Sequence, residues 1–142
     1  MPDHDQIAGN HIIDDLMSFR YCAENGLDYN RMRPDVSYSR LVWDGICKRP
    51  ERWEEYAMET LKSVSRKLPP GGHFLLSQYP SKFEQLHGFT HETEVCTKVF
   101  EMVADSLSGD GFYDESRKVS GVFENAKIQH FSPSNWAVLR KR

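Results

Sequence analysis

Histidine is the side chain that most readily moves protons near neutral pH, and this chain carries six of them. Four sit where chemistry could use them: His73, His87, His91 and His130. His87 and His91 stand four positions apart, with Glu92, Glu94 and Cys96 just beyond. On one continuous helix that spacing puts both imidazoles on a single face, where zinc can bind. Gly88 and Thr90 interrupt it, however, as a helix stop and a helix start. No Glu follows His87 directly, as a metalloprotease pattern demands. His87, His91 and Cys96 are therefore weak metal candidates, and the expectation is that neither a metal nor another cofactor is needed.

His73 follows a glycine pair and opens an extended run. If its strand neighbours the one that carries His130, the two rings make a general acid and base. Tyr79 or Lys127 would then stabilise an anion, which is enough for ribonuclease-like cleavage of a phosphodiester without metal. His91-Glu92-Thr93 and His130-Phe131-Ser132 also form two H-x-T/S triplets. The pair resembles the signature of the 2H phosphoesterases, which implies two strand-borne histidines flanking a phosphodiester. Strand alternation points His130 and Ser132 the same way, whereas His91 opens a helix. His73, His91 and His130 are the catalytic residues of this enzyme reading. A serine-hydrolase elbow and a phosphate-binding P-loop are both absent from the chain.

The elements that must position these groups divide at Pro69-Pro70-Gly71-Gly72, where two fixed φ angles and two missing donors stop any regular element. Before it, apolar residues recur at helical spacing in three segments. The first runs from Asn10 to Asn25, capped by Asn10, with Asp14 and Asp15 at the favourable end of the dipole and Gly26 closing it. The second spans about Tyr38 to Cys47, capped by Asp35 or Ser37. The third starts at Pro50, a residue suited to a first helical position, and reaches about Lys67. After the break, His73–Ser77 reads as a strand. Ser81-Lys82-Phe83-Glu84 has the form of a capping box, and a long helix covers Thr90 to Ser108. Val119–Phe123, Lys127–Phe131 and Trp136–Arg140 read as strands. The expected fold is one α+β domain over 1–142, with a helical layer (1–68) on a small antiparallel sheet within the mixed part (73–142), which also holds the long helix.

The chain's 142 residues, 39% hydrophobic, suffice for one core and argue against disorder. Cys22, Cys47 and Cys96 form no C-x-x-C pair and read first as small buried hydrophobes, with a Cys22–Cys47 bridge or a reactive thiol as the alternatives. The start of the chain has no secretory pattern and no apolar run reaches membrane length, so the expectation is a cytoplasmic protein that does not enter a membrane.

Net charge is −3 but uneven. Residues 69–114 carry seven acids and two bases, and residues 115–142 carry two acids and six bases. Arg117, Lys118, Lys127, Arg140, Lys141 and Arg142, interleaved with Phe123, Phe131 and Trp136, make a nucleic-acid-binding face possible. A pI near 6.1 argues against a dedicated binder. Tyr29, Arg31, Arg33, Tyr38 and Arg40 cluster in and after the first loop, and Tyr and Arg are enriched in protein interfaces. The expected function is thus a small intracellular, non-enzymatic binding or regulatory module that contacts another protein or a second copy of itself. Such domains are common in mobile elements and phages. The histidine-based phosphodiesterase and the nucleic-acid binder are the alternatives.

Overall fold

A computed structural model describes residues 5–119 and 135–142. Strand β1 (Gln6–Asn10) leads directly into α1 (Ile12–Asn25), and a 3-10 turn at Tyr29–Arg31 precedes α2 (Val36–Lys48) and α3 (Pro50–Ser65). The second half comprises β2 (His73–Ser77), α4 (Lys82–His87), α5 (Thr90–Gly109), β3 (Phe112–Asp114) and β4 (Trp136–Lys141). The fold is α+β, as expected. The sheet differs from expectation: its order is β1-β2-β4-β3, with β1 parallel to β2 and the other pairs antiparallel. β1 escaped notice because Gln6-Ile7-Ala8-Gly9-Asn10 holds a single large apolar residue; pairing with β2, more than propensity, makes it a strand.

Register puts one apolar row under the helices. Ile7, Phe74 and Leu139 lie abreast, and Gly9, Leu76 and Ala137 form the next rank. Against them pack Ile13 and Met17 of α1 and Cys96, Val99, Val103 and Leu107 of α5, all buried. Trp43 and Ile46 of α2 and Trp53, Ala57 and Leu61 of α3 complete the core. Gly9 is required where β1 meets α1: a Cβ there would lie 2.8 Å from Ile12 Cγ2.

Local signals explain most boundaries. Asp35 caps α2 by accepting from the Tyr38 amide at 3.0 Å, Pro50 opens α3, and the Ser81/Glu84 capping box opens α4. At α1 the expected cap fails. Asn10 ends β1, where it accepts from the Ser77 hydroxyl, and His11 makes the corner with φ +53° and no side-chain cap. Val119, expected to start a strand, sits in a helical turn at 116–119 that follows β3. The rest of that strand and the expected strand Lys127–Phe131 lie outside the described residues. Among the described residues, no helix is long and apolar enough to cross a membrane.

Candidate functional site

The parallel pair β1–β2 sets the position of a deep cleft, because both strands end at the same side of the sheet. β1 runs into His11 and the first turn of α1; β2 runs into the loop that begins α4. Crevices beyond the carboxyl ends of parallel strands are the usual binding places of such sheets. Here the cleft has a volume of about 390 Å³. Asp14 and Ser18 of α1, Glu84 of α4 and Glu92 of α5 line it with Tyr29, Met32 and Arg33 of the first loop. His11, Asp15, Ser39, Trp43, Ser81 and Phe83 complete the wall.

Three carboxylates converge on its floor. One oxygen each from Asp14, Glu84 and Glu92 lies within 4.8 Å of the other two. Glu84 is 4% exposed and Glu92 7%. The Glu84 carboxylate accepts from the Ser81 amide, but Asp14 Oδ1 is wholly enclosed and finds no hydrogen-bond donor among the described residues. Each acid stands near a helix N-terminus, where the dipole is worth about 0.3–1 kcal/mol. Removing one ion from water costs several kcal/mol, so the dipoles alone cannot keep three charges there.

The proton affinities follow. Burial, helped by the charges of Asp15 and Glu84, raises Asp14 to about 7. Burial, then the Glu84 and Asp14 charges and a hydrogen bond with Glu84, raises Glu92 to about 9. With no cation bound, the cluster therefore holds protons at neutral pH. Cys96 lies behind it, fully buried, its thiol pushed well above the usual range by burial and by Asp14 and Glu92.

Around the floor the walls are fixed by specific bonds. The Tyr29 hydroxyl donates to Asp15, burial and that bond raising its pKa, and the Ser39 hydroxyl donates to the Met32 carbonyl. The His11 ring meets Tyr79 edge-on with centroids 4.3 Å apart. Gly88, at φ +69°, turns the chain between α4 and α5 so that Glu84 and Glu92 meet across the joint.

The residues singled out from the sequence scatter. His73 lies 3.5 Å from Glu115, opposite Arg140 in the sheet and away from the cleft. His91, 86% exposed, meets the Glu94 carboxylate at 3.5 Å. His87 packs on Phe83 at 4.7 Å, so His87, His91 and Cys96 do not converge on a common point. His130 and Lys127 lie outside the described residues. In the first loop, Arg31 pairs with Asp35 at 3.5 Å and stacks on Tyr38 at 4.3 Å, while the Tyr38 hydroxyl accepts from the Asp28 amide at 2.8 Å. Arg40 donates to the His87 carbonyl at 2.7 Å and covers Phe89 at 4.9 Å. Tyr29 and Arg33 reach the cleft. Of the basic set, Arg140 binds Glu115 at 2.7 Å, Arg142 lies over Tyr113, and Lys141 Nζ donates to the carbonyls of Arg66 and Leu68. Arg117 and Lys118 are exposed on the turn at 116–119.

Sequence reasoning assigned Asp14 to the α1 dipole and Glu84 to a capping box, and both local roles are real. One signal pointed further. Glu92 continues the buried stripe of α5, in step with Cys96, Val99 and Val103, where an acid has no place in a simple core. Compared with known proteins, the chain matches no family model, no curated protein and no solved structure.

Proposed function

We propose that this protein is a binding module that works through a divalent cation held by Asp14, Glu84 and Glu92. The observation that carries this reading is the convergence of three carboxylate oxygens within 4.8 Å, one of the acids having an enclosed and unpartnered oxygen. An all-oxygen, anionic set suits a hard ion such as Mg²⁺, Mn²⁺ or Ca²⁺. The cleft volume leaves room for water or a ligand to complete the coordination. Titration with each ion at pH 8, followed by calorimetry and thermal melting, should give one saturable site and a higher melting temperature. A concentration one hundred times Kd stabilises by about 2.7 kcal/mol. Glu92→Gln should remain folded and lose the response. Melting that ignores all three ions at millimolar concentration would end the proposal.

A second reading is contact with another copy of the chain. Its support is two exposed apolar side chains, Leu41, 56% exposed, and Leu86, 80% exposed, each next in sequence to one partner of the Arg40–His87 hydrogen bond. Light scattering should give a dimer that Leu86→Glu dissociates; a monomer at high concentration removes this reading.

A further inference from the structure

We infer that β1 is a docking edge for a second copy of this chain, the two β1 strands pairing antiparallel across a two-fold axis at Ala8. The contact goes beyond both readings above, using neither the acidic cleft nor the Leu41 and Leu86 side chains. β1 closes one side of the sheet and pairs only with β2. The His73 amide donates to the Asp5 carbonyl, and the His11 amide donates to the Ser77 carbonyl. Between those bonds the parallel register turns the backbone groups of Ile7 and Gly9 towards β2, and those of Gln6, Ala8 and Asn10 away from it. The latter three residues are exposed, and among the described residues their backbone groups bond to no other element. Sheet edges are ordinarily guarded by brevity, charge, proline or a bulge. The opposite edge is guarded: β3 is three residues long, carries Asp114, and has Arg140 and Arg142 over its Tyr113 ring. β1 has no such guard, since Gln6, Ile7, Ala8, Gly9 and Asn10 are uncharged and in unbroken register with β2.

The same edge is complementary to itself. Centred on Ala8, the pairing sets Gln6 opposite Asn10 of the second copy, Ala8 opposite Ala8, and Asn10 opposite Gln6. Each pair exchanges two bonds, so every outward donor and acceptor is used. A shift of two residues in either direction leaves Gln6 or Asn10 without its match. Between Gln6 and Asn10 there is no charge for a second copy to repel. Asn10 Oδ1 already accepts from the Ser77 hydroxyl, which leaves the Asn10 amide N–H₂ to donate to the Gln6 side-chain carbonyl across the axis. The contact is isologous and closes at two copies, joining both sheets into one.

The test follows the full chain by light scattering and by amide hydrogen exchange over a range of protein concentrations. A dimer should form, and the amides of Gln6, Ala8 and Asn10 should exchange slowly at high concentration and freely on dilution. Those of Ile7 and Gly9, bonded to β2, should stay protected throughout. Ala8→Pro removes an outward N–H without touching the β2 ladder, so it should weaken the dimer about tenfold or more and leave the dilute chain folded. Ala8→Lys keeps every backbone donor and sets two like charges face to face on the axis. It should also dissociate the dimer, and high salt should partly restore it. A monomer at high concentration overturns the inference. So does a dimer in which the Gln6, Ala8 and Asn10 amides exchange as they do on dilution. Dissociation by Leu86→Glu, with Ala8→Pro and Ala8→Lys both without effect, assigns the contact to the other surface and overturns this inference alone.

Discussion

Val103 and Glu92 lie about three turns apart on one helix, on the same buried stripe, and their surroundings could hardly differ more. Val103 joins Phe74, Leu76 and Leu139 in the apolar core between sheet and helices. Glu92 meets two more carboxylates at the end of that layer, one with an enclosed, unpartnered oxygen. Near Val103 the fold obeys ordinary packing rules. Near Glu92 it breaks several at once: acids buried against one another, a left-handed histidine and an uncapped helix start. Departures concentrated in one cleft are what the proposed cation site would account for.

The contrast can be broken first from the core side. Phe74→Ala removes a ring that is 1% exposed from the middle of the sheet, and should lower stability by about 3–5 kcal/mol. The loss, read by chemical denaturation, should be the same at pH 5 and pH 8 and with or without cation.

At the cleft the expected loss depends on pH instead. Asp14 and Glu92 have folded pKa values, about 7 and about 9, above the ordinary 3.8 and 4.5. Between the ordinary and raised values the folded chain binds more protons than the unfolded one, so stability falls as pH rises. Without a cation, the melting temperature should decline from about pH 4 to pH 9. Millimolar Mg²⁺ should restore it at pH 8 and do little at pH 5. Glu92→Gln should melt higher than wild type at pH 8 without cation, because folding then no longer has to put a proton on an acid that is ionised in the unfolded chain. A pH profile unchanged by Glu92→Gln would erase the distinction between the two regions.

Gln78 sharpens the comparison from between them. Its amide is buried, and neither end finds a partner among the described residues. Gln78→Met keeps the volume and removes the polar atoms, so stability should rise by about 1–2 kcal/mol. A melting temperature raised by roughly 3–6 °C would be the reading. Smallest of all, Arg31→Ala breaks an exposed ion pair with Asp35 and should cost less than about 1 kcal/mol.

Elements signed by local chemistry were legible in the sequence. The Asp35 cap, Pro50, the Ser81/Glu84 box and the glycines after α1 and α4 each fix a boundary through bonds within a few residues. β1 was not legible, since Gln6–Asn10 becomes a strand only by pairing with a segment more than sixty residues away. The cleft was hidden for the same reason. Asp14, Glu84 and Glu92 lie on three helices, and Asp14 and Glu84 have innocent local explanations. Only the topology brings them together. The histidines drew attention because imidazole is versatile, but chemistry needs convergence, and His73, His87 and His91 do not converge.

Lys141 carries a practical warning about basic tails. Its ammonium stitches the carbonyl ends of Arg66 and Leu68, where α3 gives way to the turn before β2, onto the last strand. Neutralising that charge to probe nucleic-acid affinity would loosen a seam between the two halves of the chain. Weakened retention on DNA would then report a damaged scaffold, so charge scans of this segment need Arg117 and Lys118, which stand clear of the seam, as their controls.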